Sequence, residues 1–215
     1  MQTHHFFFKG QQLRLHPLKA IYWEEEDALL LADLHLGKAV HFRKAGIPVP
    51  RAAGDANWDK LIYLFLEFKP ERVLFLGDLF HSTYNSEWQE FAGLIGQFPD
   101  IRFELVQGNH DILSPADYEA AQITIYNQPL RIGPFLLSHH PIAAPPEDSY
   151  NLAGHIHPCV WLKGNGRQKL KLPCFYFGED TGLLPAFGAF TGTARIQPQN
   201  GDQVFVIAED AVVEM

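Results

Sequence analysis

Five short apolar runs in this chain each break into residues that bind metal ions, and this recurrence limits the fold more than any other feature. The runs end at Asp33-Leu34-His35, Gly77-Asp78, Gly108-Asn109-His110-Asp111, Ser138-His139-His140 and Gly154-His155-Ile156-His157. The clearest of them, Phe103 to Val106, is β-prone and mostly apolar, then passes abruptly into Gly, Asn, His and Asp. A buried strand reads this way when its tip enters a cleft. Asn contributes a carbonyl oxygen, His exchanges a proton near neutral pH, and Asp carries a charge able to fix an imidazole tautomer. In sheets with helical crossovers, sites form outside the carboxyl ends of the strands, so five such tips predict one shared site. Residues two apart on a strand point the same way. The pairs Asp33/His35 and His155/His157 are therefore each expected to aim two donors at the shared site.

The segments between these tips supply the framework. Trp58, Leu61, Ile62, Phe65 and Phe68 recur at helical spacing and stop before Pro70, and Trp88, Phe91, Leu94, Ile95 and Phe98 form a second stripe. These are core faces of amphipathic helices. Arg72 to Leu76 lies between them as a buried strand, and the strand, helix, strand alternation predicts parallel pairing with right-handed crossovers. The amino-terminal part reads as a hairpin turning at Lys9-Gly10, then Ala20–Trp23 and Ala28–Ala32 on either side of an acidic turn. After Asp111 the chain is largely β, through Ile123–Tyr126, Phe135–Leu137 and Asn151–Ala153, a hairpin around Gly164-Asn165-Gly166 and a last one through Val204–Ile207.

With 215 residues, 47% of them hydrophobic, the chain is expected to bury one core as a single domain over residues 1–215. Its net charge of -8 argues against coating nucleic acid by bulk electrostatics, but leaves room for a local basic strip. Lys38, His41, Arg43 and Lys44 form such a strip just after the first donor pair, and are candidates for holding substrate phosphates. His81 and His140 are further candidates there, and for His81 and His41 a surface or supporting role is the plain alternative. Lys169 and Lys171 alternate beside Lys163 and Arg167, where lysines read first as guards against edge pairing. Cys159 and Cys174 lack metal-type spacing, and no secretory signal opens the chain, so a reducing cytoplasm is expected. No apolar run approaches the roughly 20 residues that cross a bilayer, so no membrane partner is expected.

The donors are nitrogen and oxygen without thiolate, a set that suits manganese, iron, zinc, nickel or cobalt rather than a cysteine-zinc site. They are numerous enough for two divalent metal ions. In order and identity, Asp-x-His, Gly-Asp, Gly-Asn-His-Asp, a strand-terminal His and Gly-His-x-His resemble the calcineurin-like metallophosphoesterase superfamily, over about Asp33 to His157. The start Asp33-Leu34-His35-Leu36-Gly37-Lys38, the run Gly77-Asp78-Leu79-Phe80-His81-Ser82 and the basic Phe42-Arg43-Lys44 resemble its bacterial DNA ligase-associated branch, related to SbcD-type nuclease subunits.

The resemblance implies an α/β (α+β) fold, a four-layer αββα sandwich in which two mixed β-sheets are flanked by helices. It implies one ion on Asp33, His35 and His157, another on Asn109, His139 and His155, and Asp78 bridging them, with His139 chosen over His140 by its position. His110 resembles the catalytic His, with Asp111 orienting it. The activity implied is two-metal phosphodiester hydrolysis, with DNA as substrate and a DNA ligase or helicase as possible partner. A phosphodiesterase of small nucleotide-type substrates, and a metal-binding subunit with little activity of its own, are the alternatives.

Overall fold

The computed structural model describes residues 1–38, 52–163, 169–189 and 191–215, excepting the side chains of 52–56 and 163. Seven strands form a first sheet in chain order: β1 (His4–Phe8), β2 (Gln11–His16), β3 (Ala20–Trp23), β4 (Ala28–Leu31), β5 (Arg72–Leu76), β6 (Arg102–Val106) and β7 (Ile123–Tyr126). The hairpins make β1 to β4 antiparallel, whereas β4 to β7 are all parallel, as the alternation predicts. Helix α1 (Ala52–Phe68) precedes β5, and helix α2 (Ser86–Ile95) precedes β6. α1 stops where Lys69 turns left-handed, at φ 46°, just before Pro70. α2 starts at Asn85, whose side chain accepts from the N–H groups of Glu87 and Trp88. A third helix, α3 (Pro115–Ala120), was not foreseen; a Ser114 and Asp117 capping box starts it before β7.

The second sheet collects β8 (Leu130–Ile132), β9 (Phe135–Ser138), β10 (Tyr150–Ala153), β11 (Pro158–Lys163), β12 (Lys169–Phe177), β13 (Thr181–Leu183) and β14 (Ala194–Arg195). Their spatial order is β14-β11-β12-β13-β10-β9-β8, and β15 (Gln203–Ala208) with β16 (Ala211–Glu214) joins through β12. The chain changes sheet between β7 and β8, so Ile123–Tyr126 and Phe135–Leu137 belong to different sheets.

Side-chain alternation on β5 shows how the layers pack. Val73 and Phe75 join Leu61, Phe65, Trp88 and Phe91 in a core beneath the helices. Leu74 and Leu76 point the other way and meet Phe135, Leu137, Leu152, Phe175 and Phe205 of the second sheet. A strand buried on both faces must be apolar at successive positions, which is why Arg72 to Leu76 shows no polar alternation. Two mixed sheets therefore pack face to face. The described helices all lie on the first sheet's outer side, while the second sheet's outer side carries a small cluster of Val160, Cys174, Val204 and Val206. Among the described residues no helix is long and apolar enough to cross a membrane.

Candidate metal centre

The carboxyl ends of β4, β5, β6, β9 and β10 converge, and every described donor picked out in the sequence comes with them. Asp33, His35 and His157 present ligand atoms within 4.8 Å of one another, as do His139, His140 and His155, and also Asp33, Asp78 and His139. The first two groups are joined by Asp78. Its Oδ2 lies 3.5 Å from His35 Nε2 and its Oδ1 lies 3.4 Å from His139 Nε2, so each carboxylate oxygen faces a different cluster.

The route to this geometry differs from strand alternation. Asp33 and His35 lie beyond β4, His155 and His157 beyond β10, and all four have positive φ, at 55°, 48°, 64° and 55°. Asp78 does too, at 51°. Left-handed backbone is uncommon for residues with a Cβ, and its concentration here marks a site held by its surroundings. Turns rather than strand alternation therefore aim these donors. Asp33 and His35 share a cluster, but His155 and His157 part company, each serving a different one.

Backbone hydrogen bonds hold these loops side by side. His35 N–H donates to the Asp78 carbonyl and Leu36 N–H to that of Leu79, extending the β4 and β5 contact past the strand ends. Close approach also requires bare glycine. A Cβ on Gly77, whose φ is +77°, would overlap the His139 ring, and one on Gly108 would overlap the Asp78 backbone and carboxylate.

Asp111 takes a different role from the one its position suggests. Its Oδ1 accepts from Leu79 and Phe80 N–H, and its Oδ2 from Asp78 and Gly108 N–H, at 2.8 to 3.1 Å. It therefore clamps the backbone of two ligand loops and does not orient the His110 ring. Burial raises its pKa to about 6, with amide donors opposing the rise.

The histidines are arranged to offer lone pairs. His139 Nδ1 lies 3.1 Å from the Leu76 carbonyl and His157 Nδ1 lies 2.9 Å from that of Gly192. Each contact favours a proton on Nδ1 and leaves Nε2 as the donor atom. These backbone carbonyls carry no side-chain signature and could not be found in the sequence. Burial holds the His35 pKa down to about 2, assisted by Lys38 and the neighbouring histidines. Burial likewise lowers those of His140 and His155. Burial also disfavours the His157 cation, but the attraction of Asp33 outweighs it and its pKa is raised.

Such an arrangement fits divalent cations. Asp33 Oδ1 and His35 Nε2 are buried and have no hydrogen-bond partner. Asp33 Oδ1 lies 3.2 Å from His157 Nε2, an ion-pair approach without hydrogen-bond alignment. With its proton on Nδ1, His139 Nε2 would face Asn109 Oδ1 at 3.0 Å, Asp78 Oδ1 at 3.4 Å and His155 Nδ1 at 3.1 Å. Lone pairs directed at one another in a buried site are repulsive, and each unsatisfied group costs about 1–3 kcal/mol. A cation among them converts that cost into ligation.

His110 and His81 flank the Asp33 side, with ring centroids 3.9 Å apart, and His81 Nδ1 lies 3.1 Å from His35 Nδ1. His140 is exposed, with its ring 4.0 Å from that of His155. Lys38 is half-buried and closes a turn onto the His35 carbonyl. His41, Arg43 and Lys44 lie outside the described residues.

The calcineurin-like phosphoesterase family model matches residues 28–173, which includes the tips of all five donor-bearing strands. The chain belongs to this family. Metal-dependent hydrolysis of phosphoester bonds is therefore its activity, and the family implies divalent ions at the donor clusters. The crystal structure of the Pseudomonas putida nuclease MPE is 31% identical over 100% of both chains, with a TM-score of 0.84. The Escherichia coli phosphoesterase Yfce is 13% identical over 85% of this chain and 88% of its own, at a TM-score of 0.45. No curated protein sequence matches the chain.

Proposed function

We propose that this phosphoesterase cleaves phosphodiester bonds in DNA with two divalent ions. Asp33, His35 and His157 would hold one ion, Asn109, His139 and His155 the other, and Asp78 would bind both. The observation that carries this reading is the pair of donor clusters joined by Asp78, with Asp33 Oδ1 and His35 Nε2 of the first cluster buried and without hydrogen-bond partners. His139 is preferred to His140 as ligand because it is buried against Asn109 and Asp78, whereas His140 stands at the rim. Bound there, such ions supply Lewis-acid polarisation of the phosphoryl oxygens and activation of water. His110, half-buried beside His81 and within 5.6 Å of His35 by ring centroids, is placed to donate a proton to the leaving oxygen. The nitrogen and oxygen donor set without sulfur accommodates manganese, our first choice, and equally admits zinc, iron, nickel or cobalt.

The choice of DNA is supported by the full-length similarity to a nuclease and by the basic residues after the first donor pair. The resemblance to the ligase-associated branch supports a role in DNA repair with a DNA ligase or helicase as partner, and the two free cysteines suit a cytoplasmic setting. A second reading, hydrolysis of small nucleotide-type diesters, is favoured by a half-open cavity of about 260 Å³. Gln107, Asn127 and Ile142 line it beside His139 and His140.

The test is metal-dependent turnover of bis(p-nitrophenyl) phosphate, supercoiled plasmid and a cyclic dinucleotide. Plasmid nicking that needs manganese and disappears in His110→Ala supports the DNA reading. Turnover of the cyclic dinucleotide without cleavage of plasmid replaces it with the second.

A further inference from the structure

The strand that follows His157 carries a feature this activity has not used. β11 pairs antiparallel with the first half of β12, placing Trp161 opposite Lys171, Leu162 opposite Leu170 and Lys163 opposite Lys169. Facing residues in a ladder share a side and successive residues alternate, so the ribbon has two unlike faces. One carries Val160, Leu162, Leu170 and Leu172, and continues into the outer cluster with Cys174, Val204 and Val206. The other carries Trp161, Lys169 and Lys171. Arg195 joins that side, because the parallel β14 sets it opposite Cys159.

Position in the sheet gives this face a direction. Lys169 and Lys171 have the parity of Phe175 and Phe177, which point inward at the first sheet in the body of the sandwich. β12 runs antiparallel to β13, and β13 runs parallel to β10. The first half of β12 thus extends past the end of β10 from which His155 and His157 emerge. Trp161 lies four residues beyond His157, about 13 Å of extended chain. The face stands at the metal-centre end, turned to the inner side.

Its chemistry is distinctive in an acidic chain. Of the four tryptophans, Trp23 and Trp88 are buried and Trp58 is partly buried, while Trp161 is 43% exposed. Among the described residues no ion pair engages Lys169, Lys171 or Arg195. Guarding a sheet edge requires charge alone and gives no reason for an exposed indole opposite Lys171.

We propose that this face binds a single strand of nucleic acid leading to the metal centre. Trp161 stacks on a base, and Lys169, Lys171 and Arg195 hold the neighbouring phosphates. An indole accepts any base face and cations follow the backbone, so the platform does not select sequence. The proposal rests on the nuclease reading above and adds the form of the substrate, an unpaired strand at or beside the scissile bond.

The experiment uses manganese-loaded His110→Ala protein, which spares the DNA, and a labelled thymidine oligonucleotide, single-stranded or annealed to its complement. Binding of the single strand should quench tryptophan fluorescence, and Trp161→Phe should remove most of the quench. Trp161→Ala should weaken single-strand binding by about 5- to 150-fold and duplex binding far less. Lys169→Gln with Lys171→Gln should flatten the dependence of log affinity on log salt by about 0.7 per lysine. In a background with His110 intact, all these variants should hydrolyse bis(p-nitrophenyl) phosphate like the wild type, which also reports folding. If the diester is cleaved but neither form of DNA binds, the nuclease reading falls and the platform with it. If DNA is bound and cut while affinity, slope and quench are unchanged in the variants, the nuclease reading stands and the platform is overturned. Equal losses for duplex and single strand overturn the stacking role.

Discussion

Asp33 Oδ2 accepts a hydrogen bond from the backbone N–H of His155, 2.9 Å away and 122 residues further along the chain. The other oxygen, buried and without a hydrogen-bond partner, faces His157. One carboxylate therefore anchors the last donor loop and contributes to the first donor cluster, so the two ends of the motif series depend on each other.

Asp33→Asn should consequently lose metal from the Asp33 cluster, because the amide cannot serve both directions with its charge removed. Asp78→Asn should impair both clusters. Turnover should fall by more than the roughly 10–100-fold seen when a hydrogen-bond partner of a ligand is lost. Elemental analysis of the purified variants checks this. Full occupancy in Asp78→Asn would remove it from its place between the clusters.

Chelation should lower thermal stability. At a free metal concentration of 100 times Kd, each site contributes about 2.7 kcal/mol. For a chain of this size that corresponds to about 5–11 °C in Tm. Calorimetry with and without chelator, repeated on Asp78→Asn, measures it; an equal shift in the variant would place the stabilising ion elsewhere.

His110 and His155 should separate by function. His110→Ala should retain metal while turnover falls by about 10²–10⁴-fold, the range for lost acid-base assistance. His155→Ala should lose metal and turnover together. Metal content measured beside kcat distinguishes the two, and the opposite pattern would exchange the roles.

Gly77→Ala should damage the site without touching a donor. A methyl group there needs left-handed backbone and overlaps the His139 ring. Overpacking of this kind costs about 1–3 kcal/mol, and His139 must move away from Asn109. A lowered Tm accompanied by weaker metal affinity is expected, and unchanged metal affinity would show that the loop absorbs the methyl group.

Lys19 offers a pH test away from the metal centre. Burial, reinforced by Lys60, lowers its pKa to about 8 from the ordinary 10.5. The folded state thus penalises its cation fully below about pH 8. Between that value and 10.5 the unfolded chain binds more protons, so this contribution to stability rises with pH. Lys19→Met should therefore raise Tm at pH 7, and the gap between variant and wild type should close as pH climbs from 8 to 10.5. A constant gap would mean that packing rather than charge governs the position.

The sequence alone determined the order of elements and which candidate donors stand at the ends of the strands. Apolar runs buried on two faces, helical stripes ending at proline and abrupt polar breaks are local features, read within a few residues of where they act. Grouping the donors into clusters was different in kind, because it required atoms far apart in the chain to meet. Strand alternation aimed Asp33 with His35 and His155 with His157 at one site, but left-handed turns beyond the strands do the aiming. They direct His155 and His157 to separate clusters, the division that the family resemblance implied. Asp111 looked like a partner for the adjacent His110, but the loop turns its carboxylate onto four backbone amides. The amides of Asp78, Leu79 and Phe80 and the carbonyls of Leu76 and Gly192 have no residue-type signal. Backbone dipoles become specific partners only when the fold aims them, so the tertiary structure alone decided which histidine nitrogen faces a carbonyl and where Asp33 points.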